Sequence, residues 1–342
     1  MPPRKNKNSA RFPLRAVGEW GFLNRLLPRL SRQDPKRFFV RPGDDAAVMA
    51  APRGAVLSID GLTEGTHFRS TWAPFLKKSF GRSLGEELGW KLLGSGLSDL
   101  AAMGDVCSRW ALIYLGAPST TPLDFLMDFS TGVTKAARHA DCVIAGGDTV
   151  RAHDLSLVVA VGGRMAGRPV CRSGAKAGDQ LCVAGTVGDA AIGLRILDRA
   201  ISLSSRIDAP YFVRQFFRPL PRFDEGRILA RATGVTSLMD LSDPLGASIK
   251  LLLRSSGVGA EVDVDLIPVS APYAAEFKKT PSLLSAGEDY GLLFTASAAA
   301  VSRLSSKMAF SVIGEIRPRQ HGLRFTHHGK RCSPPVSFEH FQ

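Results

Sequence analysis

The chain has 342 residues, 44% of them hydrophobic and 22% charged, the balance of a soluble globular protein long enough for two domains. Arg, Asp, Gly or Pro interrupts every apolar run before it reaches the roughly 18 to 20 residues of a membrane helix, which excludes a membrane partner. The net charge of +13 is spread along the sequence without an RNA- or DNA-binding signature, so nucleic acid is not expected; small anionic substrates explain a basic surface equally well, and a merely solvated surface explains it better than either.

Residues 1–15 read as a basic disordered arm, because Met1-Pro2-Pro3-Arg4-Lys5-Asn6-Lys7 is followed by neither the apolar core nor the cleavage site of a secretory signal. Helical spacing appears over 20–27 and a strand over 55–59. Leu88, Leu92, Leu93, Leu97 and Leu100 recur at helical intervals over 84–103, with Gly104 placed to end that helix. Asp99 then falls near a helix C-terminus, where an unpaired carboxylate is disfavoured and a cation is demanded. A helix over 123–139 leads into a short buried strand at 142–145, which puts Asp148 at the carboxyl end of a strand. After a strand at 155–161, the turn-rich passage 168–179 marks the boundary between an N-terminal domain, 16–167, and a C-terminal domain, 168–342. The second half restarts with a strand at 181–184 and the turn Gly185-Thr186-Val187-Gly188, which opens a helix containing Gly193. Helices over 224–232, 245–253 and 297–307 alternate with strands around Val262, Leu292 and Val312. The predicted class is α/β followed by α+β.

The five cysteines, Cys107, Cys142, Cys171, Cys182 and Cys332, include no Cys-x-x-Cys pair, so reduced thiols in a cytoplasmic protein are expected. Walker A, protein-kinase catalytic-loop and Gly-x-Ser-x-Gly patterns are all missing from the sequence. What stands out is a set of six acidic segments: Gly43-Asp44-Asp45, Ser58-Ile59-Asp60, Leu97-Ser98-Asp99-Leu100, Gly146-Gly147-Asp148-Thr149, Asp240-Leu241-Ser242-Asp243 and Gly287-Glu288-Asp289-Tyr290. Carboxylates at turns beside apolar runs can converge in a cleft only if cations relieve their repulsion. Oxygen ligands of this kind select Mg²⁺, which commonly brings phosphates with it. Of the first pair, Asp44 reads as structural, because Asp45 is better placed to point away from the Gly43 turn. His67 follows a glycine turn near Asp60 and suggests a substrate contact. Lys91 and Arg172 are candidate phosphate clamps by charge, while His327 and His328 receive no role.

In this order, the acidic segments together with Glu64-Gly65-Thr66-His67-Phe68, Ala101-Ala102-Met103-Gly104 and Arg172-Ser173-Gly174-Ala175 resemble the signature set of the thiamine-monophosphate kinases. Those enzymes belong to the superfamily that includes aminoimidazole ribonucleotide synthetase, and the resemblance runs from Gly18 to about Phe341. It implies the two-domain aminoimidazole ribonucleotide synthetase-like fold, with an N-terminal ATP- and Mg²⁺-binding sheet pairing across a homodimer and a C-terminal domain closing over the nucleotide. It further implies that Asp45, Ser58, Ile59 (through its backbone oxygen), Asp60, Asp99, Asp148, Asp240 and Asp243 surround several Mg²⁺ ions. Gly147, Asp148, Arg172 and Ser242 would contact ATP, and His67, Glu288 and Phe338 would contact thiamine monophosphate. Asp60, Asp148 and Arg172 would form the catalytic group.

The implied reaction is direct in-line phosphoryl transfer from ATP to thiamine monophosphate, giving thiamine diphosphate. The sequence departs from the family pattern at Ile59, where threonine is usual, at Pro244 in place of glycine, and at Ser248 in place of aspartate. Two other readings stand beside this one: an ATP-dependent synthetase or maturation enzyme of the same superfamily, and a non-catalytic basic binding protein on this fold.

Overall fold

Strand alternation and one long buried helix organise the first half. The computed structural model describes residues 38–40, 44–49, 54–201 and 208–333; the basic arm, the helical stretch at 20–27 and Phe338 lie outside them. Strands β1 (Phe38–Val40), β2 (Ala47–Met49) and β3 (Ala55–Thr63) are followed by helices α1 (Ala73–Phe80) and α2 (Leu84–Ala102), then by β4 (Val106–Ala117), α3 (Leu123–His139), β5 (Cys142–Arg151) and β6 (Ser156–Met165). These strands form one six-stranded sheet in the order β1-β2-β3-β6-β4-β5, in which β4 and β5 run parallel across the α3 crossover.

Along β3 and β6 the buried residues alternate: Val56 and Leu62, then Leu157, Val159 and Val161. They face α2, which is buried along nearly its whole length. The other face of the sheet carries Ile59, Leu112 and Tyr114 exposed, with Val143 beside them on the edge strand β5.

The second half holds a seven-stranded sheet in the order β13-β12-β9-β11-β7-β10-β8. Its elements are β7 (Gln180–Ala184), α4 (Asp189–Leu197), α5 (Ala209–Phe217), α6 (Phe223–Arg231), β8 (Val235–Asp240), α7 (Leu245–Ser256), β9 (Gly259–Asp263), α8 (Ala271–Glu276), β10 (Leu292–Ala296), α9 (Ala298–Leu304), β11 (Ser311–Arg317), β12 (Leu323–His327) and β13 (Lys330–Cys332). Phe212, Phe216 and Phe217 of α5 pack into the core shared with α2. Polar bonds tie the halves together: Trp90 Nε1 donates to Pro219 O (3.2 Å), and Arg218 pairs with Glu86 and Glu87. Among the described residues, no helix is long and apolar enough to cross a membrane.

Two expectations change. The strand expected at 142–145 continues through the glycine pair to Arg151, so Asp148 lies within a strand rather than at its end. Strand β4 is absent from the sequence-based reading because Ser108 takes a positive φ of 52° and the register shifts between Cys107 and Trp110, interrupting the period-2 pattern by which a strand is recognised.

Gly104, with φ of 107°, follows the end of α2 in a conformation that favours glycine. Gly89 serves another purpose, since a Cβ there would lie 2.1 Å from Phe129 O on α3. We expect Gly89→Ala to destabilise the protein by about 2 kcal/mol, because the overlap with rigid backbone outweighs the gain of about 1 kcal/mol in helix propensity. A lower urea midpoint with an unchanged m value checks this.

Candidate active site

Residues far apart in sequence meet where the two halves face each other. Ser58 and Asp60 project from the same face of β3, Ser98 and Asp99 lie in the last turns of α2, and Asp240 ends β8. Carboxylate oxygens of Asp45, Asp99 and Asp240 come within 4.8 Å of one another. Hydroxyls fix two of them: Ser58 Oγ donates to Asp99 Oδ2 (2.6 Å), Ser98 Oγ to Asp240 Oδ2 (2.8 Å) and Ser242 Oγ to Asp240 Oδ1 (3.1 Å).

Arg172 closes the cluster. Its Nε donates to Asp45 Oδ1 at 3.1 Å, its Nη2 to the same oxygen, and its backbone N–H to Asp44 Oδ2 at 3.0 Å. One guanidinium does not satisfy three carboxylates, and Asp45 Oδ2 is buried without a hydrogen-bond partner. An orphaned carboxyl oxygen beside two further carboxyl groups and several hydroxyls is a fitting ligand set for a hard divalent cation, whose binding would displace any proton held there.

The electrostatics follow from the crowding. Burial raises Asp45 from 3.8 to about 8, against the pull of Arg172. Burial, then repulsion from Asp240, Asp45 and Asp60, raises Asp99 well above the usual carboxylate range, and burial raises Asp240. Despite its own burial, the Arg172 guanidinium is pushed further up by Asp45.

A cleft of about 740 Å³ opens beside the cluster, and Ile59, Asp60, His67, Ser242, Asp243 and Glu288 are among its lining residues. His67 Nδ1 accepts from Thr63 N–H at 3.1 Å, so the neutral ring carries its proton on Nε2. Glu288 has a positive φ of 63°, and its N–H donates to Ser242 O at 2.8 Å. This backbone bond joins the fifth and sixth acidic segments, and Tyr290 N–H repeats it on Leu241 O at 2.9 Å.

Residues 43–165 match the family model of the AIR synthase related protein, N-terminal domain, and residues 176–325 that of its C-terminal domain. The thiamine-monophosphate kinase of Salmonella typhimurium is 34% identical over 339 residues, covering 95% of this chain and 97% of that protein. The chain belongs to the thiamine-monophosphate kinase family. Among solved structures, AaThiL complexed with AMPPCP and TMP matches with a TM-score of 0.80 at 26% identity, covering 97% of this chain and 100% of that one. Thiamine monophosphate kinase from Aquifex aeolicus matches with a TM-score of 0.75, also at 26% identity, over 94% and 100% of the two chains.

In this member of the thiamine-monophosphate kinase family, the structure brings Asp45, Ser58, Asp99, Asp240 and Arg172 into one cluster, and Ile59, Asp60, His67, Ser242, Asp243 and Glu288 onto the adjoining cleft. Gly147 and Asp148 are not among the residues lining that cleft, and for Asp148 the register gives the reason. Asp148 stands opposite Tyr114, Tyr114 opposite Val158 and Val158 opposite Gly61, whereas Asp60 stands opposite Val159. Asp148 therefore occupies the open face of the sheet and Asp60 the helix-packed face. Phe338 lies outside the described residues.

Lys91, a candidate phosphate clamp by charge, is fully buried in α2, with its ammonium on Phe216 O and Glu288. Ser98, whose hydroxyl orients Asp240, has no role in the sequence-based reading; its place beside Asp99 near the end of an apolar helix is the available signal.

The raised values fix a pH dependence. A proton held on Asp45 up to about pH 8 in the folded chain is released near 3.8 in the unfolded one, so the folded state binds the extra proton across that window and loses stability as pH rises through it. We expect the melting temperature of metal-free protein, measured in EDTA, to fall between about pH 4 and pH 8, and Asp45→Asn to flatten the slope.

Proposed function

We propose that this chain transfers the terminal phosphoryl group of ATP directly to thiamine monophosphate, producing thiamine diphosphate. The observation that carries this reading is the orphaned Asp45 oxygen within a buried three-aspartate cluster at the edge of the cleft, in a chain of the thiamine-monophosphate kinase family. Bringing two phosphate groups together is chiefly a problem of positioning and charge neutralisation. Mg²⁺ held by Asp45, Asp99 and Asp240, with Ser58, Ile59 O, Asp60, Asp148 and Asp243 completing the ligands, would supply the neutralising charge.

The protein's own groups do the rest. Arg172, at the rim of the cluster, binds phosphate oxygens of the nucleotide, and Ser242 and Gly147 line its path. The Nε2–H of His67 donates to the acceptor's phosphate, and the Glu288 carboxylate accepts from its aminopyrimidine. The acceptor phosphate has a second pKa of about 6 and is ionised near neutral pH, so no strong general base is needed. The five cysteines, all free thiols, suit a reducing cytoplasm.

The placement of Asp148 points to a homodimer. Ile59, 69% exposed, Leu112 and Tyr114 form an uncovered apolar face on the sheet, and a second copy docked there would cover it and carry its own Gly147 and Asp148 toward this chain's cleft.

A product assay with ATP, Mg²⁺ and thiamine monophosphate tests the reaction: thiamine diphosphate is expected, with at least about a 100-fold loss of kcat in Asp60→Asn and in Asp148→Asn. Orthophosphate release without thiamine diphosphate would turn the assignment toward an ATP-dependent synthetase. For the dimer, Leu112→Glu is expected to sediment as a folded monomer and to lose activity. A fully active monomer would overturn the shared site.

A further inference from the structure

Burying an ammonium group is costly unless its charge and its donors are satisfied. Lys91 is fully buried in the middle of α2, yet it lies directly beneath the cleft. Its Nζ donates to Phe216 O at 2.9 Å, lies 3.6 Å from the centre of the Phe216 ring, and pairs with Glu288 Oε1 at 2.9 Å. Burial lowers its pKa, while Glu288 and then Asp60 act to keep the charge. Glu288 is 29% exposed and lines the cleft, so the pair runs from the core to the surface on which substrate binds.

The segment bearing Glu288 is fixed from other directions as well. Asp289 points away, accepting from Gly188 N–H (2.8 Å) and Ala190 N–H (3.1 Å) at the start of α4, and Tyr290 is buried. With the backbone held on both sides and Oε1 held by Lys91, the remaining freedom of the Glu288 carboxylate is small.

We propose that Lys91 is a positioning residue for acceptor recognition: it holds the Glu288 side chain as an oriented carboxylate, so that the cleft presents a hydrogen-bond acceptor to an amino-bearing heterocycle. This rests on the reading of Glu288 as the contact to thiamine monophosphate. The ammonium contacts Phe216 and Glu288, and it belongs to no part of the acidic cluster. Its effect should therefore fall on binding of the acceptor rather than on turnover, and a group that merely filled the core would show no such selectivity.

The test is steady-state kinetics of Lys91→Met, Glu288→Gln and the double variant, with circular dichroism to establish folding. Lys91→Met is expected to raise KM for thiamine monophosphate by about tenfold or more, in line with loss of a charge-assisted hydrogen bond, while KM for ATP and kcat stay within about twofold. Placed on Glu288→Gln, the same substitution should cost nothing further, because Lys91 acts through that carboxylate. Independent, multiplying effects of the two substitutions, or a Lys91→Met variant with unchanged KM alongside a raised KM in Glu288→Gln, would overturn the proposal. An unchanged KM in Glu288→Gln would instead remove the substrate-contact reading and the proposal with it. If Lys91→Met does not fold, Lys91→Arg replaces it: the retained charge preserves the fold, and displacement of the donor should still raise KM for thiamine monophosphate alone.

Discussion

Three carboxylates held within 4.8 Å of one another, against a single guanidinium, set the terms for the rest of this molecule. Such an arrangement is unfavourable in isolation, since both desolvation and mutual repulsion oppose it. It persists because each carboxylate is fixed by a separate element: Asp99 by the long helix α2, Asp240 by the end of β8, and Asp45 by the approach to β2. The packing between the halves, including the aromatic cluster of Phe212, Phe216 and Phe217 and the Arg218 pairs with Glu86 and Glu87, opposes the tendency of those carboxylates to separate. Packing elsewhere in the fold thus offsets a locally unfavourable concentration of carboxylates.

Much of this is legible in the sequence because the acidic residues sit in short, turn-flanked segments whose order matches a known family. Helical periodicity locates α2, and with it the position of Asp99 near a helix C-terminus. Periodicity does not locate β4, whose pattern is broken by the left-handed Ser108 and a register shift. Nor does it tell that β5 continues through two glycines, because glycine marks turns far more often than strand interiors. Lys91 differs for another reason: charge alone makes it a candidate phosphate clamp when weighed without the helical face on which it falls. Leu84, Leu88, Lys91 and Ser95 follow one another at spacings of three and four residues, and all are buried; the stripe is visible in the sequence, and a lysine within it signals a buried partner.

The two faces of the first sheet illustrate what a single chain can and cannot encode. One face is finished, packed against α2 with valine and leucine at alternate positions. The other leaves Ile59, Leu112 and Tyr114 in solvent and carries Asp148 out of reach of Asp60. Strand alternation makes this separation unavoidable, since a residue at an odd offset in register points to the opposite side. Similarity of motifs gathers such residues into one list, whereas the register shows that the list is divided between two surfaces.

Helix α2 joins features that belong to different tasks. Near its start Gly89 lets α3 approach, at its middle Lys91 meets Glu288, and near its end Asp99 enters the acidic cluster. Asp99 lies eight positions after Lys91, which is about 12 Å along a helix axis. Because a helix is stiff over so short a span, the two ends cannot be seated independently: the packing that sets Lys91 beneath Glu288 also sets how far Asp99 reaches into the acidic cluster.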